Sequence, residues 1–186
     1  SKSSAKVVTG NAEAISAENW QGKSYSAANK VNIADYFEES TQYHYQYTDN
    51  YTGDDSVWSA EYDYTTKATD KFSVILTGDP QVGASGSSSD YSANDASVAR
   101  DAYNWNRTMQ QALKTCPDAS FLLSAGDQIN QSGATKDDDK KTRESEYAGY
   151  LYPSVFRSLP IAATIGNHDM AGSDYSAHFN NPNSED

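Results

Sequence analysis

The sequence predicts an α/β fold preceded by antiparallel strands, and three observations carry that prediction. Tyrosines alternate with polar residues before residue 68. Beyond it, short apolar runs alternate with stretches of helical periodicity. Each of three apolar runs ends in glycine followed at once by Asp or Asn.

The first 29 residues are poor in signal, with Val7-Val8 as one candidate strand among Ser, Ala and Asn. From about Lys30 to Lys67 the chain reads as short strands. Val31 and Ile33 alternate with polar residues, and Tyr43, Tyr45 and Tyr47 fall on one face opposite His44 and Gln46. Tyr62 and Tyr64 repeat the pattern after Gly53-Asp54-Asp55. Period-two aromatic alternation bounded by Gly, Asp and Asn marks antiparallel sandwich strands. The tyrosines are read as core and cross-strand packing rather than a ligand cage.

Phe72 to Thr77 is an apolar run that reads as a buried strand ending at Gly78-Asp79-Pro80. A Gly/Ser loop, Gly83 to Ser89, follows. Val98, Ala102, Trp105, Met109, Ala112 and Leu113 then recur at helical spacing, with Asn94 or Asp95 as cap and Pro117 as stop. Phe121 to Ala125 is the next strand and ends at Gly126-Asp127. The mixed charge run Lys136 to Arg143 reads as a solvated loop, and a second helix is expected over Glu144 to Tyr152. Ile161 to Ile165 forms the third strand and ends at Gly166-Asn167-His168-Asp169. The division is thus residues 1–68 and residues 69–186.

Composition narrows the function classes. With 14 Lys and Arg against 26 Asp and Glu, the net charge of −12 speaks against a nucleic-acid binder that works by phosphate neutralisation. No apolar run reaches the ~18 residues of a membrane span. Ser1-Lys2-Ser3-Ser4 has no signal-peptide core, which leaves a cytosolic protein or the mature form of an exported one. Fourteen Tyr, with many Ser, Thr and Asn and few Lys, suit a secreted or cell-surface bacterial protein. The lone Cys116 excludes an internal disulfide and reads as a small, half-buried residue at a helix end.

Chemistry concentrates where the three strands end. Ligand sites of β/α sheets gather at the carboxyl ends of strands, and glycine lets the backbone turn there without a Cβ clash. Three such ends in register would bring Asp79, Asp127, Asn167 and His168 into one crevice. Two carboxylates, an amide oxygen and an imidazole suit Zn, Mn or Fe, and a carboxylate between two ions can bridge them. Taken singly, a Gly-Asp after a strand is usually a turn or helix cap, and Gly-Asn-His-Asp could be a turn with a surface histidine.

Taken together, Asp79-Pro80-Gln81, Gly126-Asp127-Gln128-Ile129-Asn130 and Gly166-Asn167-His168-Asp169, with the lead-in Leu159 to Thr164, resemble the motifs of calcineurin-like metallophosphoesterases. The resemblance covers about Phe72 to Asn180. It implies the N-terminal half of an α/β/β/α sandwich with two divalent or trivalent transition metal ions. Asp79 would lie on the first metal, Asp127 would bridge both, and Asn167 would lie on the second. His168 would act as acid or electrostatic stabiliser, oriented by Asp169, in the hydrolysis of a phosphate-ester substrate by metal-activated water.

The upstream segments Val31 to Tyr47 and Val57 to Tyr64 resemble the later strands of the fibronectin-III-like domain of purple acid phosphatases. On that resemblance residues 1–68 are an incomplete antiparallel β-sandwich. Two departures stand out. Gln81 occupies the place of a metal-binding histidine in the general family, and Asn130 that of the tyrosine ligand of purple acid phosphatases. The chain carries three histidines, His44, His168 and His178. His178 is read either as part of a loop near the substrate mouth or as a surface residue. Two metals sharing Asp79, Asp127 and Asn167 would be under-coordinated, so the resemblance implies a C-terminal half, as a separate chain, that supplies the remaining histidines. The alternative is a catalytically degenerate binding or cell-surface module, or a tyrosine-rich sandwich that binds carbohydrate.

Overall fold

The computed structural model describes residues 5–19, 21–86 and 95–181 and shows a mixed α/β chain with three small sheets and three α-helices. Among these residues no helix is long and apolar enough to cross a membrane. Strands β1 (Asn11–Glu18) and β2 (Ser24–Lys30) form an antiparallel pair, with register irregular between Ala14 and Ala17. Their turn is built on Asn19, whose side-chain oxygen accepts the N–H of Gln21 at 3.0 Å and of Lys23 at 2.9 Å. This hairpin lies in the signal-poor first 30 residues, because Ala, Ser, Asn and Glu leave no period-two apolar pattern. Val7-Val8, the expected strand, is outside it, and Val7 is exposed.

Val31 and Ile33 do not form a strand either. The Asn32 side chain accepts the N–H of Ala34 at 3.0 Å and starts a 3-10 turn over Ala34–Tyr36. A local side-chain bond thus competes successfully with strand pairing, and both apolar side chains are left exposed. The tyrosine strands do form. β3 (Gln42–Tyr45) pairs antiparallel with β4 (Tyr62–Thr65), setting Tyr43 opposite Tyr64 and Tyr45 opposite Tyr62. Tyr47 falls beyond the strand, and its ring stacks on Tyr62 with centroids 6.1 Å apart. Phe37 covers the other end, 4.7 Å from Tyr43 and 5.4 Å from Tyr64. The packing is cross-strand, as expected, but all four strand tyrosines remain half-buried.

Downstream, β5 (Ser73–Thr77), α1 (Asp95–Thr115), β6 (Ala119–Ser124), α2 (Asp137–Tyr150) and β7 (Ile161–Ala163) form a parallel sheet in the order β5-β6-β7. Asn94, an expected cap of α1, and Ser87 to Ser89 of the expected loop lie outside the described residues. Both crossovers step in the same direction along the sheet, and both helices pack on one face of it, as crossovers of one hand require. There Val98, Trp105 and Met109 of α1 meet Tyr147 and Tyr150 of α2 over Leu122 and Ala163. Trp105 donates its indole N–H to the Tyr150 carbonyl at 2.9 Å and stacks on the Tyr150 ring.

Side chains alternate across a strand, so Leu76, Leu123 and Ala162, which sit in register, face away from the helices. Phe72 packs on Phe121 nearby, and both Phe72 and Leu76 are exposed, at 59% and 70%. One face of the sheet is therefore a core and the other an open apolar surface.

The run Lys136 to Arg143 is not a solvated loop. Helix α2 begins at Asp137, with Asp137, Asp138 and Asp139 in its first turn, where carboxylates favour the helix dipole. The Asp139 carboxylate accepts the Lys136 N–H at 3.3 Å. The helix ends at Tyr150, two residues short of the expected end and ahead of Pro153. Arg143 is fully buried. Cys116 is half-buried at the end of α1 as expected, and desolvation with the Asp118 carboxylate 3.6 Å away pushes its thiol pKa up.

Candidate functional site

The carboxyl ends of β5, β6 and β7 are joined by backbone hydrogen bonds. Asp79 donates its N–H to the Gly126 carbonyl at 3.3 Å, and Gln81 to that of Asp127 at 2.9 Å. Val82 and Ile129 extend the pairing as a parallel bridge. Thr164 closes the other side by donating to Ser124 at 2.9 Å. The loops after the first two strands therefore run alongside each other as extensions of the sheet.

Asp79 and Asp127 each stand in the left-handed region, at φ 57° and 50°. Asp tolerates this conformation better than most residues, yet it is uncommon outside turns and functional sites. The glycines contribute unequally. At Gly126, with φ 99°, a Cβ would lie 2.8 Å from the backbone of Gly166. At Gly166 a Cβ would overlap Asp127 Oδ1. At Gly78 it would make only an ordinary contact with Ala125, so there the unusual backbone belongs to Asp79 itself.

Asp127 is the meeting point. Its Oδ1 accepts the N–H of His168 at 2.9 Å, which ties the end of β6 to the end of β7. Asp127 and His168 are half-buried, whereas Asp79 and Asn167 are exposed. Gln128 behind them is fully buried, with its amide N–H groups donated to Ser124 Oγ and the Thr164 carbonyl, both at 3.0 Å.

His168 is oriented differently from the expectation. Its Nδ1 bonds the backbone carbonyl of Asn130. Asp169 is turned away into the interior, fully buried, where it accepts the Gly166 N–H at 2.9 Å and the Tyr147 hydroxyl at 3.1 Å. It shapes the loop rather than the imidazole. The Tyr147 phenol is pushed above its ordinary pKa by burial and by the Asp169 charge, so it remains a donor to that carboxylate.

Arg143 holds the same loop from α2. Its Nη1 donates to the carbonyls of Gln131 and His168, both at 2.6 Å, and its Nη2 to that of Asp169 at 2.7 Å. Nε and Nη2 form a fork on Asp174, at 2.5 and 2.9 Å. All five guanidinium donors are thereby used. Burial opposes the charge, but the bonds to and charge of Asp174 outweigh it and hold the pKa above its usual value. Arg143 and Asp174 escaped the sequence reading. The signal was present: Arg143, Glu146, Tyr147 and Tyr150 follow the spacing of one helix face.

His178 also departs from both readings offered for it. It closes α3 (Asp174–His178), its Nε2 lies 2.8 Å from Glu144 Oε2, and its ring rests 4.8 Å from that of Tyr147. It is a half-buried packing residue. His44, on β3, lies 2.6 Å from the Asp63 carboxylate opposite it.

The donor set can be weighed against a metal centre. The space beside Gly166 is filled by Asp127, whose Oδ1 a Cβ there would overlap, so the carboxylate is seated at the strand ends, and the Asp and Asn oxygens at hand are hard donors. In those respects the residues fit a transition metal. Among the described residues no group of three or more His, Cys, Asp or Glu is placed to hold an ion. Comparison with family models, curated proteins and solved structures found no match to the chain.

Proposed function

We propose that the strand-end cluster belongs to a metal-dependent phosphoesterase of the calcineurin-like type, with residues 69–186 as one half of an α/β/β/α sandwich. One observation carries the reading: Asp127, in left-handed backbone, binds the first peptide N–H after Asn167 with one oxygen while Gly166 makes room for it. That arrangement packs the second and third motifs around a single carboxylate. Asp79, Asp127 and Asn167 would hold the metals, which when bound supply Lewis acidity and an acidified water. His168 offers the phosphoryl or leaving-group oxygen a proton or a positive charge. The acidic protein surface is no obstacle to a phosphate ester, because bound cations dominate the local field.

The open face bearing Phe72, Leu76 and Leu123 supports the sandwich, since an apolar surface of this kind calls for a covering layer. A C-terminal half laid there, as a separate chain, would bring the histidines that complete the metal shell. Residues 1–68 are read as a fibronectin-III-like β-sandwich contribution, and the whole as a secreted or cell-surface protein. The test is hydrolysis of p-nitrophenyl phosphate and its diester by the complete protein with added Zn, Mn or Fe. Asp127→Asn is expected to lower kcat by at least ~100-fold and to reduce metal content with it. Undiminished activity in that variant would overturn the assignment.

A second reading, a catalytically degenerate binding module, is favoured by Gln81 and Asn130, neutral residues at two expected ligand positions. Elemental analysis separates the two. Near-zero transition metal in the complete protein supports the binding module, and close to two ions per molecule supports the enzyme.

A further inference from the structure

Glu146 is a fully buried carboxyl that the reading above does not use. It lies on α2, one turn beyond Arg143, and its Oε2 accepts the N–H of Asn130 at 3.0 Å and of Gln131 at 2.7 Å. The Gln131 N–H and the Asn130 carbonyl belong to one rigid peptide plane and point in opposite directions. Fixing the N–H on Glu146 therefore fixes the carbonyl on the other side. That carbonyl is the group bonded to His168 Nδ1. The Asn130 N–H is shared with the Val82 carbonyl at 3.2 Å, which ties the same segment to the loop after β5.

A carbonyl oxygen can only accept, so the bond to His168 requires a proton on Nδ1 in both the neutral and the charged imidazole. Any proton exchanged with a ligand is then carried on Nε2. We propose that Glu146 is a positioning residue that, by clamping the Asn130–Gln131 peptide, sets the tautomer of His168 and makes Nε2 its reactive nitrogen.

The surroundings agree with a clamp. Glu146 Oε1 has no hydrogen-bond partner and sits against Gly83, where a Cβ would overlap it. Gly83, with φ 106°, donates its own N–H to Asp101 at 2.9 Å, so the carboxyl is enclosed by the β5 loop as well. Burial pushes the Glu146 pKa up to about 8, with Asp101 adding to the rise and the two peptide N–H groups and Arg143 opposing it. At neutral pH the group is mostly a neutral acid, with Oε2 accepting and the proton on Oε1. A glutamine of the same length reproduces that pattern, whereas an aspartate keeps the charge type and loses the reach.

The proposal rests on the phosphoesterase reading only for what Nε2 would do, so its test needs neither metal nor substrate. Long-range proton–nitrogen NMR of the imidazoles identifies which nitrogen of His168 carries hydrogen. In the wild-type protein the Nδ1–H tautomer is expected in about fivefold to tenfold excess, the bias one hydrogen bond supplies. Glu146→Gln should keep that excess and Glu146→Asp should abolish it. An unchanged tautomer in a folded Glu146→Asp protein, or its loss in Glu146→Gln, overturns the proposal. If the shortened variant does not fold, an Nε2–H tautomer in the wild-type protein overturns it alone. Absent phosphatase activity with the expected tautomers would instead sink the enzyme reading and leave the clamp standing.

Discussion

Tyrosines are asked to do opposite things in the two regions of this chain. On β3 and β4, Tyr43, Tyr45, Tyr62 and Tyr64 meet in pairs across two strands and stay half-buried. On α2, Tyr147 and Tyr150 are fully buried among Trp105, Phe156, Phe179 and the sheet. A two-stranded sheet has no second layer to press against, so its aromatics can exclude water only from one another. The β5–β7 sheet has two helices on one face and builds a core there. It can then hold buried polar and ionisable groups: Arg143, Glu146 and Asp169 all lie beneath the strand-end loops. The difference teaches that the strand-end loops are held from behind, by hydrogen bonds from the buried Arg143 and Glu146 of α2, more than by the residues that line the site.

The largest effect expected from breaking this contrast comes from Arg143. Arg143→Ala would leave Asp174 without its fork and the carbonyls of Gln131, His168 and Asp169 without their donor. Removing one partner of a buried ion pair costs about 3–5 kcal/mol, because the other charge stays enclosed. Urea unfolding of wild type and variant measures it. A loss below about 1 kcal/mol would mean that water reaches the cluster and that the enclosure is not as drawn.

Glu146 sharpens the contrast through pH. Its folded pKa of about 8 lies above the ordinary 4.5, so between those values the native protein binds more protons than the unfolded chain. Stability from this group is therefore complete below about pH 4.5 and is lost as pH rises through about 8. Relative to Glu146→Gln, the wild-type protein should lose on the order of a few kcal/mol between about pH 5 and pH 9. Parallel stability curves for the two proteins over that range would contradict the buried neutral carboxyl.

The sequence revealed the strands and the first helix of the β/α region because their apolar residues repeat at the right period. Phe72 to Thr77, Val98 to Leu113 and Phe121 to Ala125 all emerged within a few residues of β5, α1 and β6. It also pointed to Asp79, Asp127 and His168 as residues at neighbouring strand ends, and the loops carrying them are hydrogen-bonded together. What it hid was any structure whose signal is not apolar. The β1–β2 hairpin rests on Asn19 and backbone pairing. The first two turns of α2 are charged, and a charged residue is ordinarily placed in solvent. Arg143 and Glu146 are buried because loop carbonyls, peptide N–H groups and Asp174 converge on them; their spacing with Tyr147 and Tyr150 marks one helix face but not that charged side chains on it are enclosed. The role expected of Asp169 failed for the same reason: Tyr147, far away in sequence, draws its carboxylate inward.

The smallest effect belongs to the seam between the two regions. Tyr45 donates its hydroxyl to the Arg157 carbonyl at 2.7 Å, and the Arg157 guanidinium lies 4.9 Å from the centre of the Tyr62 ring. Arg157 sits in the short 3-10 turn Ser154–Arg157 between α2 and β7 and is itself exposed. An exposed cation–π contact contributes about 0.5–1 kcal/mol, so Arg157→Ala should touch the tyrosine sheet and little else. Hydrogen exchange reads this directly. Amides of β3 and β4 are expected to exchange about twofold to fivefold faster in the variant, while those of β6 and α1 keep the wild-type rate. Equal acceleration in both sets would show that the tyrosine sheet and the β/α core open as one cooperative unit. The contrast between them would then be one of burial alone and not of stability.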